Sequence, residues 1–165
     1  MLSYQDLKRV VDDGLLFPHG IREEMFQPAS IDLTLSDSFY DPHSGQSYRD
    51  VALTLEPDDF TLGCTVERIH VPRSYAVQVN GKSSLARQGL LVHATAGFVD
   101  PGFEGQITLE LKNLSKDPIV LLTGMRIAQV HVFALSSATL VAYGNPKLGS
   151  HYQGQSGAQP AADLW

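Results

Sequence analysis

Between Gly81 and Leu111 the chain reads GKSSLARQGLLVHATAGFVDPGFEGQITLEL, and this stretch concentrates the side chains that can do chemistry. Glu110 comes first. Over 106–113 the apolar residues Ile107, Leu109 and Leu111 alternate with Thr108, Glu110 and Lys112. That predicts a strand with one face in a core and a carboxylate on the other. On a solvated face such a carboxylate has no task beyond solubility. Beside a pocket it can take a proton from water and pass it to a leaving group. The glycine-rich turn just before it favours a pocket at this place.

Gly81–Arg87 supplies complementary chemistry. GKSS lacks the Gly-x4-Gly spacing of a P-loop. Its parts still suit an anion: Gly81 lets backbone come close, Lys82 and Arg87 bring charge, and Ser83 and Ser84 bring hydroxyls. The same residues equally make a polar turn that enters a short helix. In AGFVDPGFEG (96–105), Phe98 and Phe103 either anchor the loop to a core or wall a sugar or base. Asp100-Pro101-Gly102 has good turn chemistry. Histidines at 19, 43, 70, 93, 131 and 151 are scattered. Neither HExxH nor H-x-E with a downstream P-C-x-x-C occurs, so the zinc-deaminase apparatus is missing from the sequence. His93 and His131 read as structural.

The elements that must position these groups are mostly strands. A short helix opens the chain: Ser3 is a candidate N-cap with Asp6 as a weaker capping-box partner, and Leu2 and Leu7 occupy staple positions. Leu7, Val10 and Val11 form its apolar stripe, and Gly14 ends it. Period two then takes over, with Ile31, Leu33 and Leu35 alternating with Asp32, Thr34 and Ser36. Further strands are expected at 61–71, 75–79, 90–94, 107–111, 119–122, 127–133 and 139–143, separated by turn signals. Many short strands at this spacing predict a mainly β sandwich or barrel in a single domain, residues 1–165. The stretch 144–165 is rich in Gly, Gln, Ser and Pro and reads as a flexible C-terminal tail or lid.

Composition sets the outer bounds. At 165 residues the chain suits one domain with a real core, and a net charge of −6 argues against general nucleic-acid binding. The single Cys64 excludes an intramolecular disulfide and a multi-cysteine zinc site. With no apolar run near ~18 residues and no signal-peptide core, a cytoplasmic enzyme without membrane partners is expected.

Taken together, QPASIDLTL (27–35), the long 81–111 segment, GMRIAQV (124–130) and HYQGQ (151–155) resemble the dCTP deaminase branch of the dUTPase superfamily. The resemblance spans nearly the whole chain. It implies a distorted β-barrel or jelly-roll protomer, a homotrimer with active sites at subunit interfaces, and Mg2+ bound through the substrate triphosphate without zinc. By the same resemblance Glu110 is the catalytic glutamate, and Ser83 and Arg87 place it and the attacking water. Lys82, Ser84, Leu85 and Ala86 complete a phosphate-binding segment, and Asp100 binds the deoxyribose. Thr108 and Leu109 flank the base, and Ala96, Gln129, Tyr143, His151 and Gln155 stand at further nucleotide-contacting positions. The family chemistry adds water to C4 of cytosine and expels ammonia.

Gly97 and Phe98 are similar to the pair in members that go on to cleave the triphosphate and release dUMP and pyrophosphate. Members that stop at dUTP tend to carry a bulkier, basic pair there. Two departures stand out. The family commonly has a lysine where His151 stands, and Lys147 is a candidate to compensate. The region between Phe39 and Leu62 is short for the family, which trims a surface loop. The leading expectation is a dCTP deaminase that forms dUMP. The alternatives are a deaminase that releases dUTP, a plain dUTPase, and a non-catalytic nucleotide-binding trimer.

Overall fold

A computed structural model describes residues 1–162 of the chain. Helix α1 (Tyr4–Asp12) forms where its stripe predicts, with Leu7, Val10 and Val11 buried. Ser3 precedes it, but its hydroxyl goes to the Asp6 carboxylate (2.9 Å) and not to a helix N–H, so the capping box does not close. Docking holds the helix instead. Leu2 N–H donates to Val132 O and Tyr4 N–H to Pro28 O, both at 2.8 Å.

The remainder is mainly β. Strands β1 (Ile31–Asp41), β2 (Gln46–Arg49), β3 (Ala52–Leu55), β4 (Phe60–His70) and β5 (Tyr75–Gly81) lead to a single-turn helix, α2 (Ser83–Ala86). Then come β6 (Leu90–Leu91), β7 (Phe98–Val99), β8 (Glu104–Asn113), β9 (Ile119–Leu122) and β10 (Arg126–Ala134). The main sheet runs β6-β8-β4-β1-β10-β5-β7, with β2 beside β1, and β3 and β9 form a separate pair. Its named pairings are antiparallel.

β1 makes the corner of the sheet. Ile31–Leu33 pair with Val130–Ala128 of β10, the register then shifts, and Leu35–Tyr40 pair with β4. A bulge of this kind bends a strand so that it can serve two surfaces. It also frees backbone groups, and Glu67 meets them: its carboxylate accepts from Thr34 N–H (2.9 Å) and Thr34 Oγ1 (2.7 Å). Glu67 itself lies at the matching irregularity of β4, between Cys64 and Arg68.

Three differences from the sequence reading have physical reasons. β1 is buried on both faces, with Asp32 at 0% and Thr34 at 3% exposure, because it is a central strand and its polar residues find partners indoors. The expected strand at 139–143 is absent. Thr139 Oγ1 closes a local turn on Val141, and Leu140 is left in solvent. The strand expected at 90–94 stops at Leu91, after which Val92 and Ala94 bind Glu110 outside any ladder.

Asn113 fastens the end of β8 to the smaller sheet. Fully buried, it donates to Leu55 O and Asp117 O, each at 2.9 Å, and accepts from Ser115 N–H at 2.8 Å. Asn113→Ala leaves the buried Leu55 carbonyl without this donor, while Asp117 O keeps the Ser115 hydroxyl and the Ser115 N–H lies nearer solvent. The expected loss is about 1–3 kcal/mol of unfolding free energy, read as a lower urea midpoint at unchanged slope.

Candidate active site

β8 carries the site because of its pleat. Ile107, Leu109 and Leu111 point into the core, while Gln106, Thr108, Glu110 and Lys112 lie on the other, half-buried face. Glu110 is held from the side. Its N–H donates to Val92 O (3.0 Å), and its Oε2 accepts from Ala94 N–H at 2.6 Å. Among the described residues Ala94 is the carboxylate's only hydrogen-bond partner, so the other oxygen remains free to bind and move a proton.

Glu110 opens on a cavity of about 590 Å³ that also takes in Ala96, Phe98, Asp100, Thr108, Tyr143 and Gln155. These seven residues, all named as candidates from the sequence and its resemblance, meet in one place. The volume lies within the range of small-molecule sites. One wall is apolar and was not foreseen: Leu62 stands directly opposite Glu110 in the β4–β8 pairing, and Phe60 stands beside it. Phe103 is buried and meets the Tyr143 ring edge-on (5.7 Å between centroids), so it is a loop anchor and part of the wall at once. No pattern in the sequence reveals strand register, and so none could have found Leu62.

The tail supplies the roof. Tyr152, Gln155, Gln159, Pro160 and Ala161 line the same cavity. Tyr143 Oη accepts from Tyr152 N–H (3.1 Å), and Thr108 Oγ1 accepts from Gln159 N–H (3.2 Å). A second cavity of about 580 Å³ adjoins the first, and Asp100, Tyr143, Tyr152 and His151 line it. Lys147 is exposed and lines neither cavity.

Gly97 lies just outside the cavity lining, and its lack of a side chain is a packing requirement. A Cβ there would lie 2.5 Å from Gln78 Nε2 and 2.9 Å from Val79 O. Val79 N–H donates to Gly97 O at 2.6 Å, which ties the loop before Phe98 to β5. His93 packs at this point too, its buried Nδ1 without a partner among the described residues, while His131 Nδ1 bonds the Asn80 amide (3.1 Å).

Lys82–Arg87 and Gln129 form a second cluster that does not line the Glu110 cavity. Leu85 is buried and anchors α2, leaving Ser83, Ser84, Ala86 and Arg87 exposed. Leu109 is fully buried, so only its main chain can face a ligand. Lys82 is held by Asp32, with Nζ 2.5 Å from Oδ1, and Arg126 reaches the other oxygen at 3.3 Å. Gln129 lies opposite Asp32 in the β1–β10 pairing, accepting from Ser30 Oγ and donating to Gly81 O. One carboxylate for two cations leaves this end of the sheet with spare positive charge in a chain of net −6. Asp32 was legible only as a polar-face residue. Among the described residues, no group of three or more His, Cys, Asp and Glu is placed to hold a metal ion, and no helix is long and apolar enough to cross a membrane.

Asp32→Asn removes the charge that both cations share. Their side chains keep 23% and 48% exposure and can turn to water. The expected cost is therefore about 1–3 kcal/mol, below the 3–5 of a fully buried broken pair, read by urea denaturation.

Comparison with known proteins places the chain among its relatives. A dCTP deaminase-like family model covers residues 1–135. The "dCTP deaminase, dUMP-forming" of Corynebacterium jeikeium (strain K411) is 40% identical over 179 residues, spanning 98% of this chain and 95% of that protein. The protein of the same name from Tropheryma whipplei (strain Twist) is 42% identical over 182 residues, spanning 99% and 92%. Among solved structures, the 2'-deoxycytidine 5'-triphosphate deaminase from Agrobacterium tumefaciens superimposes at a TM-score of 0.67 with 20% identity. That match covers 79% of this chain and 47% of the other, and it is a likeness of fold. A mutant dUTPase from phage phi11 of S. aureus shares the fold at a TM-score of 0.54 and 15% identity, over 73% of this chain and 85% of that one. The family model over most of the chain, and relatives near 40% identity from end to end, establish that this chain belongs to the dCTP deaminase-like family.

Proposed function

We propose that the protein deaminates dCTP and carries the reaction through to dUMP, ammonia and pyrophosphate. The observation that carries this reading is Glu110, held by one N–H and otherwise free, in a cavity walled by Asp100, Thr108 and the tail. The relatives named for dUMP formation support the same outcome.

In the first step a water adds to C4 of the cytosine ring. Glu110 takes one proton from that water and delivers it to the departing amine, and the other water proton ends on N3, so that ammonia leaves and a C4 carbonyl remains. The Ala94 N–H fixes the carboxylate's direction without consuming its second oxygen. Asp100 meets the deoxyribose, and the rings of Phe98, Phe103 and Tyr143 exclude bulk water around the sugar and base. Mg2+ arrives on the triphosphate as part of the substrate and offsets its charge. Gly97 and Phe98 set the loop that leaves room for a second water at the α-phosphorus. A plain dUTPase has no need of a general base at C4.

The cations and hydroxyls for the phosphates come from a neighbouring copy. Ser83, Ser84 and Arg87 are exposed and outside the Glu110 cavity of their own protomer, so a site with both halves needs two protomers. A homotrimer with active sites between subunits satisfies this, and Ser83 and Arg87 then orient Glu110 and the attacking water across the interface. Gln129 of that half and Gln155 and His151 of the tail complete the nucleotide contacts.

Incubation with dCTP and Mg2+ is expected to yield ammonia, dUMP and pyrophosphate. Build-up of dUTP without pyrophosphate rules out the second step, and nucleotide binding without ammonia rules out the enzyme. Glu110→Gln is expected to lose ~10²–10⁴ in ammonia release while still binding nucleotide. A rate within a few-fold of the unaltered protein removes Glu110 from its role.

Mixing tests the shared site. Glu110→Gln and Arg87→Ala proteins, each inactive alone, are expected to recover part of the activity when denatured and refolded together. Each mixed trimer then contains one interface with neither lesion. No recovery means that both residues act from one protomer.

A further inference from the structure

We infer that Gln106 is a positioning residue: it latches the C-terminal segment over the Glu110 cavity and thereby sets how firmly substrate is retained. The inference rests on the proposed reading of that segment as the roof of the nucleotide site.

Gln106 stands on the same outward row of β8 as Thr108 and Glu110. All of its polar groups are engaged, and three of the four face the tail. Its main-chain N–H donates to Gln155 O (3.1 Å), and its main-chain carbonyl accepts from Gln155 Nε2 (2.6 Å). Its side-chain oxygen accepts from Ser156 Oγ (3.1 Å) and Gly157 N–H (2.8 Å). Its side-chain nitrogen donates to Thr65 O (2.7 Å) and Val66 O (3.4 Å), carbonyls at the irregularity of β4. Two carbonyls on that side accept only a donor, so the NH2 must face them and the oxygen must face the tail. The bulge in β4 thus aims the latch.

The surroundings fit a docked strap. Gly105 is bare where the tail crosses: a Cβ there would lie 2.9 Å from Gln155 O. Arg68 Nη1 donates to the same Gln155 O at 3.3 Å. Farther on, Ala158 is buried against Leu62 and Cys64, and Gln159 N–H reaches Thr108. Over 153–159 Ala158 is the one apolar side chain, so hydrogen bonds do most of the seating. A site that binds only with the tail seated has its apparent affinity reduced by the unseated fraction. Gln106 acts through Gln155 and its neighbours and does not line the cavity itself.

Gln106→Met keeps the length of the side chain and removes its amide. Two readouts are taken on the full chain: steady-state kinetics with dCTP and Mg2+, and maleimide labelling of Cys64 without nucleotide. Cys64 is the only cysteine, lies beneath Ala158, and has a thiol pushed up in pKa by burial, so its labelling reports lifting of the tail. The expected result is KM raised about tenfold with kcat within about threefold, and Cys64 labelled about tenfold faster. Gln106→Glu, which sets an oxygen against the two β4 carbonyls, is expected to act in the same direction. Combined with Gln155→Ala, the KM effects are expected to be less than multiplicative. KM and labelling unchanged in Gln106→Met overturn the inference. So does a fall in kcat together with a lower melting temperature and KM unmoved, the mark of a residue that serves only the fold. If the unaltered protein releases no ammonia from dCTP, the proposed function fails, and Cys64 labelling still decides whether Gln106 latches the tail.

Discussion

The pleat of β8 is the constraint on which the site depends. Leu109 and Leu111 are fully buried on one face, so the residues between them have no choice of face. A slip of one residue would carry Glu110 into the core and the leucines out, exposing apolar surface and burying an unpaired carboxylate. The packing energy of the core therefore holds the face that carries Glu110 in place. Pairing with β4 adds a second fixed coordinate, because Leu62 faces Glu110 and Cys64 faces Thr108. The carboxylate thus stands beside an apolar shelf.

The central strand β1 sets the second cluster. Its burial on both faces forces each polar side chain to find a partner, and the partners are informative. Thr34 is met by Glu67, which closes the corner of the sheet, and Asp32 is met by Lys82 and Arg126. The first interaction is purely architectural. The second orders two cations at the edge of α2 while leaving them in contact with solvent. Folding has thus produced two separate clusters on one protomer, a carboxylate in a cavity and a cationic shelf outside it, which the proposed function joins.

Where the sequence was a good guide, the information was local. The alternation in 106–111, the stripe of α1 and the single turn at Ser83–Ala86 depend on near neighbours, and they stand as expected. The resemblance reached further and grouped Glu110 with Asp100, Thr108, Tyr143 and Gln155, which do line one cavity. What was not legible depends on pairing between distant segments. The role of Leu62 requires the β4–β8 register, and the burial of Asp32 requires knowing that β1 is central. The exposed β2 and the short β3 gave no clear alternation and were missed. Residues 139–143 looked like a strand because Thr139, Val141 and Tyr143 are β-branched or aromatic, but the segment makes only single backbone bonds, Thr139 N–H to Arg73 O and Tyr143 N–H to Pro101 O, and joins no ladder.

The tail unites these points. Its composition cannot build a core, and in 153–159 only Ala158 is buried. Its hydrogen bonds replace bonds to water, so each is worth little in net free energy. A segment held in this way sits near the low end of local stability, whereas β8 beneath it is fixed by fully buried leucines. That contrast suits a site that must admit a large anion and then exclude water. A roof anchored by apolar burial would open too rarely, and one with no anchor would leave Glu110 in bulk solvent. Directional hydrogen bonds from a rigid strand to a polar strap give a closed geometry that is well defined and still easily left.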